Sequence, residues 1–89
     1  MQSSEIYQKA LDKWGTNFQI IMVMEEMSEL QKALIKHIRG KGNRSDIIEE
    51  LADVDIMLEQ MKIAFNCAED VMIVKSEKLS RLEGLLNDD

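Results

Sequence analysis

The chain contains one acidic pattern twice, and that repeat limits what it can fold into. VMEEMSELQKAL, Val23 to Leu34, aligns without a gap on IIEELADVDIML, Ile47 to Leu58, pairing Glu25 with Glu49, Glu26 with Glu50, and Glu29 with Asp53. Neither copy contains Gly or Pro, and both are rich in Met, Leu, Ala and Glu, so each reads as a helix. At about 100° per residue, Glu26 falls within the arc of Met22, Val23, Leu30 and Ala33, with Glu29 at its edge. Glu50 sits in the same way among Val54, Met57 and Met61, with Asp46 and Asp53 at the edge. Carboxylates are thus written into faces that should be core. Charge there is costly unless compensated, and carboxylates facing one another repel. A divalent cation is the simplest compensation.

The rest of the chain frames these two helices. Ser3 or Ser4 can cap a first helix that runs to about Trp14, where Gly15 stops it, with Ile6, Ala10, Leu11 and Trp14 as its apolar stripe. Thr16 and Gln19 form a capping box for a second helix, to about Arg39, and Gly40 and Gly42 break it. Asn43 or Ser45 caps a third helix to about Phe65. Asn66 and Glu69 offer a capping box for a fourth, which ends near Leu86. With no Pro and few aromatic or β-branched clusters, the expected class is all-α, a four-helix, bundle-forming subunit in a single domain, 1–89.

Size and charge narrow the partners. Eighty-nine residues lie near the lower limit for a self-sufficient core. The third helix is apolar nearly all round, with Leu51, Val54 and Leu58 on one side and Ala52, Ile56 and Ile63 on the other, so it must be covered on all sides. A second copy of the chain is therefore expected, as a homo-oligomer. A net charge of −6 and a pI near 4.7 argue against nucleic acid or an anionic membrane as a general partner. No run approaches a membrane span, no signal pattern is visible, and Cys67 is the single cysteine, so the expected location is cytoplasmic.

In an antiparallel hairpin turning at Gly40, Glu29 and Glu50 lie level, provided that Lys41 to Arg44 run extended to match the rise of the outgoing helix. The Gly-Lys-Gly-Asn-Arg composition suits an extended, mobile loop. The i, i+3 spacing sets two carboxylates about 5–6 Å apart on one side of a helix, within reach of one cation. Glu26, Glu29, Glu50 and Asp53 are the candidate ligands, and an all-carboxylate set suits Mg²⁺, or Mn²⁺, rather than zinc. Glu25 and Glu49 point further from the core, where a solvated role competes with a functional one. The only histidine, His37, lies near the helix end and reads as dipole compensation or surface.

Lys32, Lys36, Arg39, Lys41 and Arg44 form a basic cluster beside the acids that can dock phosphate, although cations also stabilise a helix C-terminus. Lys75, Lys78 and Arg81 recur along the fourth helix and can do the same, or can simply be its polar face.

EEMSEL, the Gly-containing linker and EELADV resemble the paired Glu-x-x-Glu and Glu-x-x-Asp signature of the MazG-like, all-α nucleoside triphosphate pyrophosphohydrolases. The resemblance spans about Trp14 to Leu82, and KLSRL, Lys78 to Leu82, is similar to the basic segment after that family's third helix. It implies Mg²⁺ on Glu26, Glu29, Glu50 and Asp53, and cleavage of a nucleoside triphosphate between the α and β phosphates to monophosphate and pyrophosphate. It also implies assembly as a dimer or tetramer. Glu25 or Glu49 is then the carboxylate that orients the attacking water as general base. Asp55 stands in an apolar run where the family more often carries an aliphatic residue. Trp14, with Phe18 and Tyr7, is the candidate for stacking on a base, a role that competes with core packing. The rival expectation is a non-catalytic helical oligomerisation module, or one that binds a nucleotide or protein.

Overall fold

Glycine and asparagine set the joints of the chain. The computed structural model describes residues 1–87 and contains four helices and, among the described residues, no strand: α1 (Ser3–Trp14), α2 (Thr16–Ile38), α3 (Arg44–Ala64) and α4 (Ala68–Leu86). The class and the four-helix order agree with the sequence expectation, with ends within one or two residues. No helix of the described residues is long and apolar enough to cross a membrane.

Gly15 alone separates α1 from α2. Its φ of +87° is open to glycine and strained for other residues, and its N–H donates to Leu11 O at 2.8 Å while its carbonyl accepts from Gln19 N. The expected Thr16/Gln19 capping box does not form, because no side chain caps α2. Gln19 is instead buried, and its Nε2 donates to Gln60 Oε1 at 2.6 Å.

Two helices end in the same way. After α2, Gly40 at φ +71° donates to His37 O, and Lys41 donates to Lys36 O. After α3, Asn66 at φ +49° donates to Ile63 O, and Cys67 donates to Lys62 O. Each pair of bonds satisfies two carbonyls left free at a helix end, and each needs a residue that tolerates the left-handed region. Asn66 therefore closes α3 and does not cap α4, whose start carries no side-chain cap. The first half of the α2–α3 connection is correspondingly folded back, since Gly42 also donates to Lys36 O, and Asn43 is extended. Asn43 Oδ1 does cap α3, accepting from Asp46 N at 2.9 Å and Ser45 Oγ at 2.7 Å.

α2 and α3 form an antiparallel hairpin that carries most of the packing, and α1 lies across it, mainly against α3. The core is small: Leu11, Val23, Ala33, Val54 and Met57, with Gln19 and Gln60 between them. Of the α1 stripe, only Leu11 is buried, and Ile6 and Trp14 remain exposed. The buried Gln19–Gln60 bond sets the register of the hairpin. Gln60→Leu strands the Gln19 amide, so urea melts should show a loss of about 1–3 kcal/mol, most of it recovered when Gln19→Leu is added.

α4 stands apart. It touches α3 near the joint and makes no packing contact with α1 or α2. The radius of gyration is 16.1 Å, against about 12 Å for a compact domain of this length.

Candidate metal centre

The hairpin register brings acids of both repeats together. Glu26 of α2 and Glu50 and Asp53 of α3 each present a carboxylate oxygen, and these three oxygens lie within 4.8 Å of one another. Glu26 and Glu50 are half-buried and Asp53 is exposed. Glu26 shares its helix face with Gln19 and Val23, which are buried, so the contacts that fix the core also fix this carboxylate.

Glu50 Oε2 is sealed from solvent and has no hydrogen-bond partner. A buried carboxylate oxygen with no donor is unfavourable, and the structure offers no lysine, arginine or backbone N–H to it. The proton affinities respond accordingly. Burial pushes the Glu26 carboxyl above its ordinary value, and the charges of Asp53 and Glu50, a shared hydrogen bond with Asp53, and Glu29 add to the shift. Burial also raises Glu50, followed by repulsion from Asp53, Glu29, Glu49 and Asp46. Like charges are therefore held together by the packing of the helices that carry them.

The donor set fits a hard divalent cation: oxygen only, net negative, with one sealed oxygen unsatisfied in the protein alone. Glu26, Glu50 and Asp53 could hold such an ion. Glu29, the fourth expected ligand, lies outside this group; its carboxylate is exposed and accepts from Lys32 Nζ at 3.4 Å. That pair is solvated and weak, so a rotamer change frees Glu29 at little cost.

The remaining candidates are distributed around this centre. Glu25 lines an open cavity with Ile21, Met24, Glu26, Ser28 and Glu29, while Glu49 is exposed on the flank of α3. Lys36 lies in the last turn of α2 and Arg39 follows it as the C-cap, both exposed, with Lys32 a turn nearer the acids. Lys75, Lys78 and Arg81 ride on α4, which within one chain has no contact with α2, so they are not gathered with Lys32, Lys36 and Arg39. Trp14 lies in a surface pocket on α1, with Lys13 Nζ 5.2 Å from its ring centroid, and does not line the acid cavity.

Gln19 and Gln60 are the positioning residues that sequence reasoning missed. The signal was present, because Gln19, Val23 and Glu26 share one stripe, as do Gln60, Met57 and Asp53. A capping box competed for Gln19 and won on local grounds alone. No protein-family model, curated protein or solved structure matches the chain.

Proposed function

We propose that the chain is a nucleoside triphosphate pyrophosphohydrolase that uses Mg²⁺, with Mn²⁺ as a substitute, and works as a homo-oligomer. The observation that carries this reading is the sealed, unpartnered Glu50 Oε2 within a three-carboxylate group spanning two copies of one motif. The resemblance of EEMSEL and EELADV to the MazG-like enzymes supplies the reaction class, with either a ribonucleotide or a deoxyribonucleotide as substrate.

In this reading Glu26, Glu50 and Asp53 hold the ion, and Glu29 joins them by leaving Lys32. When bound, Mg²⁺ supplies charge neutralisation of the phosphates, polarisation of phosphorus and a lowered pKa for water. Glu25 or Glu49, both outside the ligand group, accepts a proton from the attacking water and orients it by hydrogen bonding. Lys32, Lys36 and Arg39 flank the acids and neutralise the phosphates that leave as pyrophosphate. Lys75, Lys78 and Arg81 serve the same charge when α4 is brought near by assembly, and Trp14 is the base-stacking candidate.

A non-catalytic assembly module is the second reading, favoured by the large uncovered apolar area of α4. Incubation of a panel of nucleoside triphosphates with Mg²⁺, with and without inorganic pyrophosphatase, separates the two. Orthophosphate should appear only when pyrophosphatase is added. A nucleoside diphosphate as main product, or no turnover of any substrate, counts against the proposal.

A further inference from the structure

α4 and α3 diverge from the Asn66 joint like the arms of a V. Between them lies a cleft of about 450 Å³, whose lining includes Asp55, Leu58 and Phe65 from α3 and Val71 and Lys75 from α4. The α3 wall continues as a stripe at alternating spacings of three and four: Ile48, Leu51, Asp55, Leu58, Lys62 and Phe65, all exposed but the half-buried Lys62. Such spacing keeps one seam facing a partner helix. On α4 the matching stripe is Val71, Lys75, Lys78, Leu82 and Leu85, also exposed.

Opposite charges stand at the centre of the two stripes, and Lys62, nearer the joint on α3, is held by Glu59 at 2.9 Å. Asp55 is the one acid on the α3 seam, and Lys75 and Lys78 occupy the middle of the α4 seam. None of the three makes an ion pair among the described residues. The exposed area points to what fills the cleft. The chain exposes 7307 Å², whereas a compact monomer of 10.3 kDa exposes about 5400 Å². The excess of about 1900 Å² per chain falls within the range that obligate dimers bury per partner.

We infer that a second copy of this chain docks in the α3–α4 cleft, each α4 lying along its partner's α3 seam, with Asp55 of one copy paired to Lys75 and Lys78 of the other. The arrangement is isologous: a twofold axis sets both stripes against their complements at once and closes the assembly as a dimer. Leu51, Leu58, Phe65, Val71, Leu82 and Leu85 leave water together. The charged pairs favour one register, because a slip by one turn takes one of its two lysines from Asp55 and a slip by two turns takes both. The inference names the surface for the homo-oligomer invoked above and does not depend on the catalytic reading; it takes Lys75 and Lys78 for the seam and leaves Arg81 alone of the α4 cations for phosphate.

Charge reversal in separate chains tests it. Light scattering should give twice 10.3 kDa for the wild type at micromolar concentration. Asp55→Lys alone, or Lys75→Glu with Lys78→Glu alone, should raise the dissociation constant at least tenfold, because each homodimer then carries two repulsive pairs. An equimolar mixture of the two variants should form a heterodimer of near wild-type affinity, because both of its pairs are matched again. Helical circular dichroism of each variant reports its folding, and the mixture reads the pairing even where one variant alone is weakly folded. A monomeric wild type overturns both the seam and the homo-oligomer. Variants that dimerise like wild type, or a mixture that stays dissociated, overturn the seam alone.

Discussion

Glu50→Gln is expected to abolish Mg²⁺-dependent hydrolysis, by about 10³-fold or more, while leaving the metal-free protein as stable as wild type or more so. Loss of activity alone would say little. The stability arm carries the argument, because a structural and a ligating carboxylate respond with opposite signs. A glutamate that anchors a hydrogen-bond network destabilises the fold when neutralised, since its partners lose their acceptor. Glu50 has no such partner on its sealed oxygen, and it is crowded by Asp53, Glu29, Glu49 and Asp46. Neutralising it removes repulsion.

Mg²⁺ separates the cases further, because a ligand that binds only the folded state stabilises it by mass action. At ten times its dissociation constant this is about 1.4 kcal/mol, or roughly 5–10 °C in Tm for a domain of this size. Wild type should show that rise over a chelator control, and the variant should show little of it. Protomer concentration must be held fixed, because assembly also shifts Tm. A variant that melts lower without metal and gains as much with it would mean that Glu50 is not a ligand.

The second large effect is a reversal of the pH dependence of stability by metal. Glu26 and Glu50 both have carboxyl groups raised above the unfolded value of 4.5. The folded metal-free chain thus holds protons that the unfolded chain has already lost. Their contribution is complete below about pH 4.5 and disappears as pH rises through the raised values. In chelator, Tm should fall as pH rises from 4.5 through the raised values, opposite to the usual behaviour of paired carboxylates. Protons compete with the cation for the same oxygens, so the Tm gained from Mg²⁺ should grow over that interval. Glu50→Gln should flatten the metal-free slope. A wild-type Tm that is level or rises with pH in chelator contradicts the strained carboxylate group.

Local chemistry made the helices legible and left their assembly less so. Gly15, Gly40 and Asn43 sit where turn and cap chemistry requires them, so the first two joints were readable from residue type. Asn66 was readable as a joint but not as to which helix it served. Its side chain suits an N-cap, yet its backbone takes the left-handed conformation that closes α3. Gln19 illustrates a different loss, since a residue three places after Thr16 satisfies a local pattern while its actual partner is forty-one positions away.

The acidic centre was legible because the repeat sets Glu26 and Glu50 on inward faces that a hairpin must bring together. Glu29 was harder to place: at the edge of its arc, a small rotation decides between the centre and Lys32, and helical periodicity does not fix rotation to that accuracy. The direction of α4 was not legible, because periodicity reports which face is apolar and not where that face points. The apolar circumference of α3 did show that one chain cannot cover it, and Leu51, Ile56 and Leu58 are accordingly exposed.

The most direct measurement of the central claim is a Mn²⁺ titration followed by electron paramagnetic resonance, with Mn²⁺ in place of Mg²⁺ and no nucleotide present. Occupancy of Glu26, Glu50 and Asp53 predicts a saturable site on every chain, weakened tenfold or more by Glu26→Gln and by Glu50→Gln, and released by excess Mg²⁺. Glu5→Gln on α1, away from the centre, should leave it intact. Binding that is absent in wild type, or equally strong in all three variants, would contradict the account.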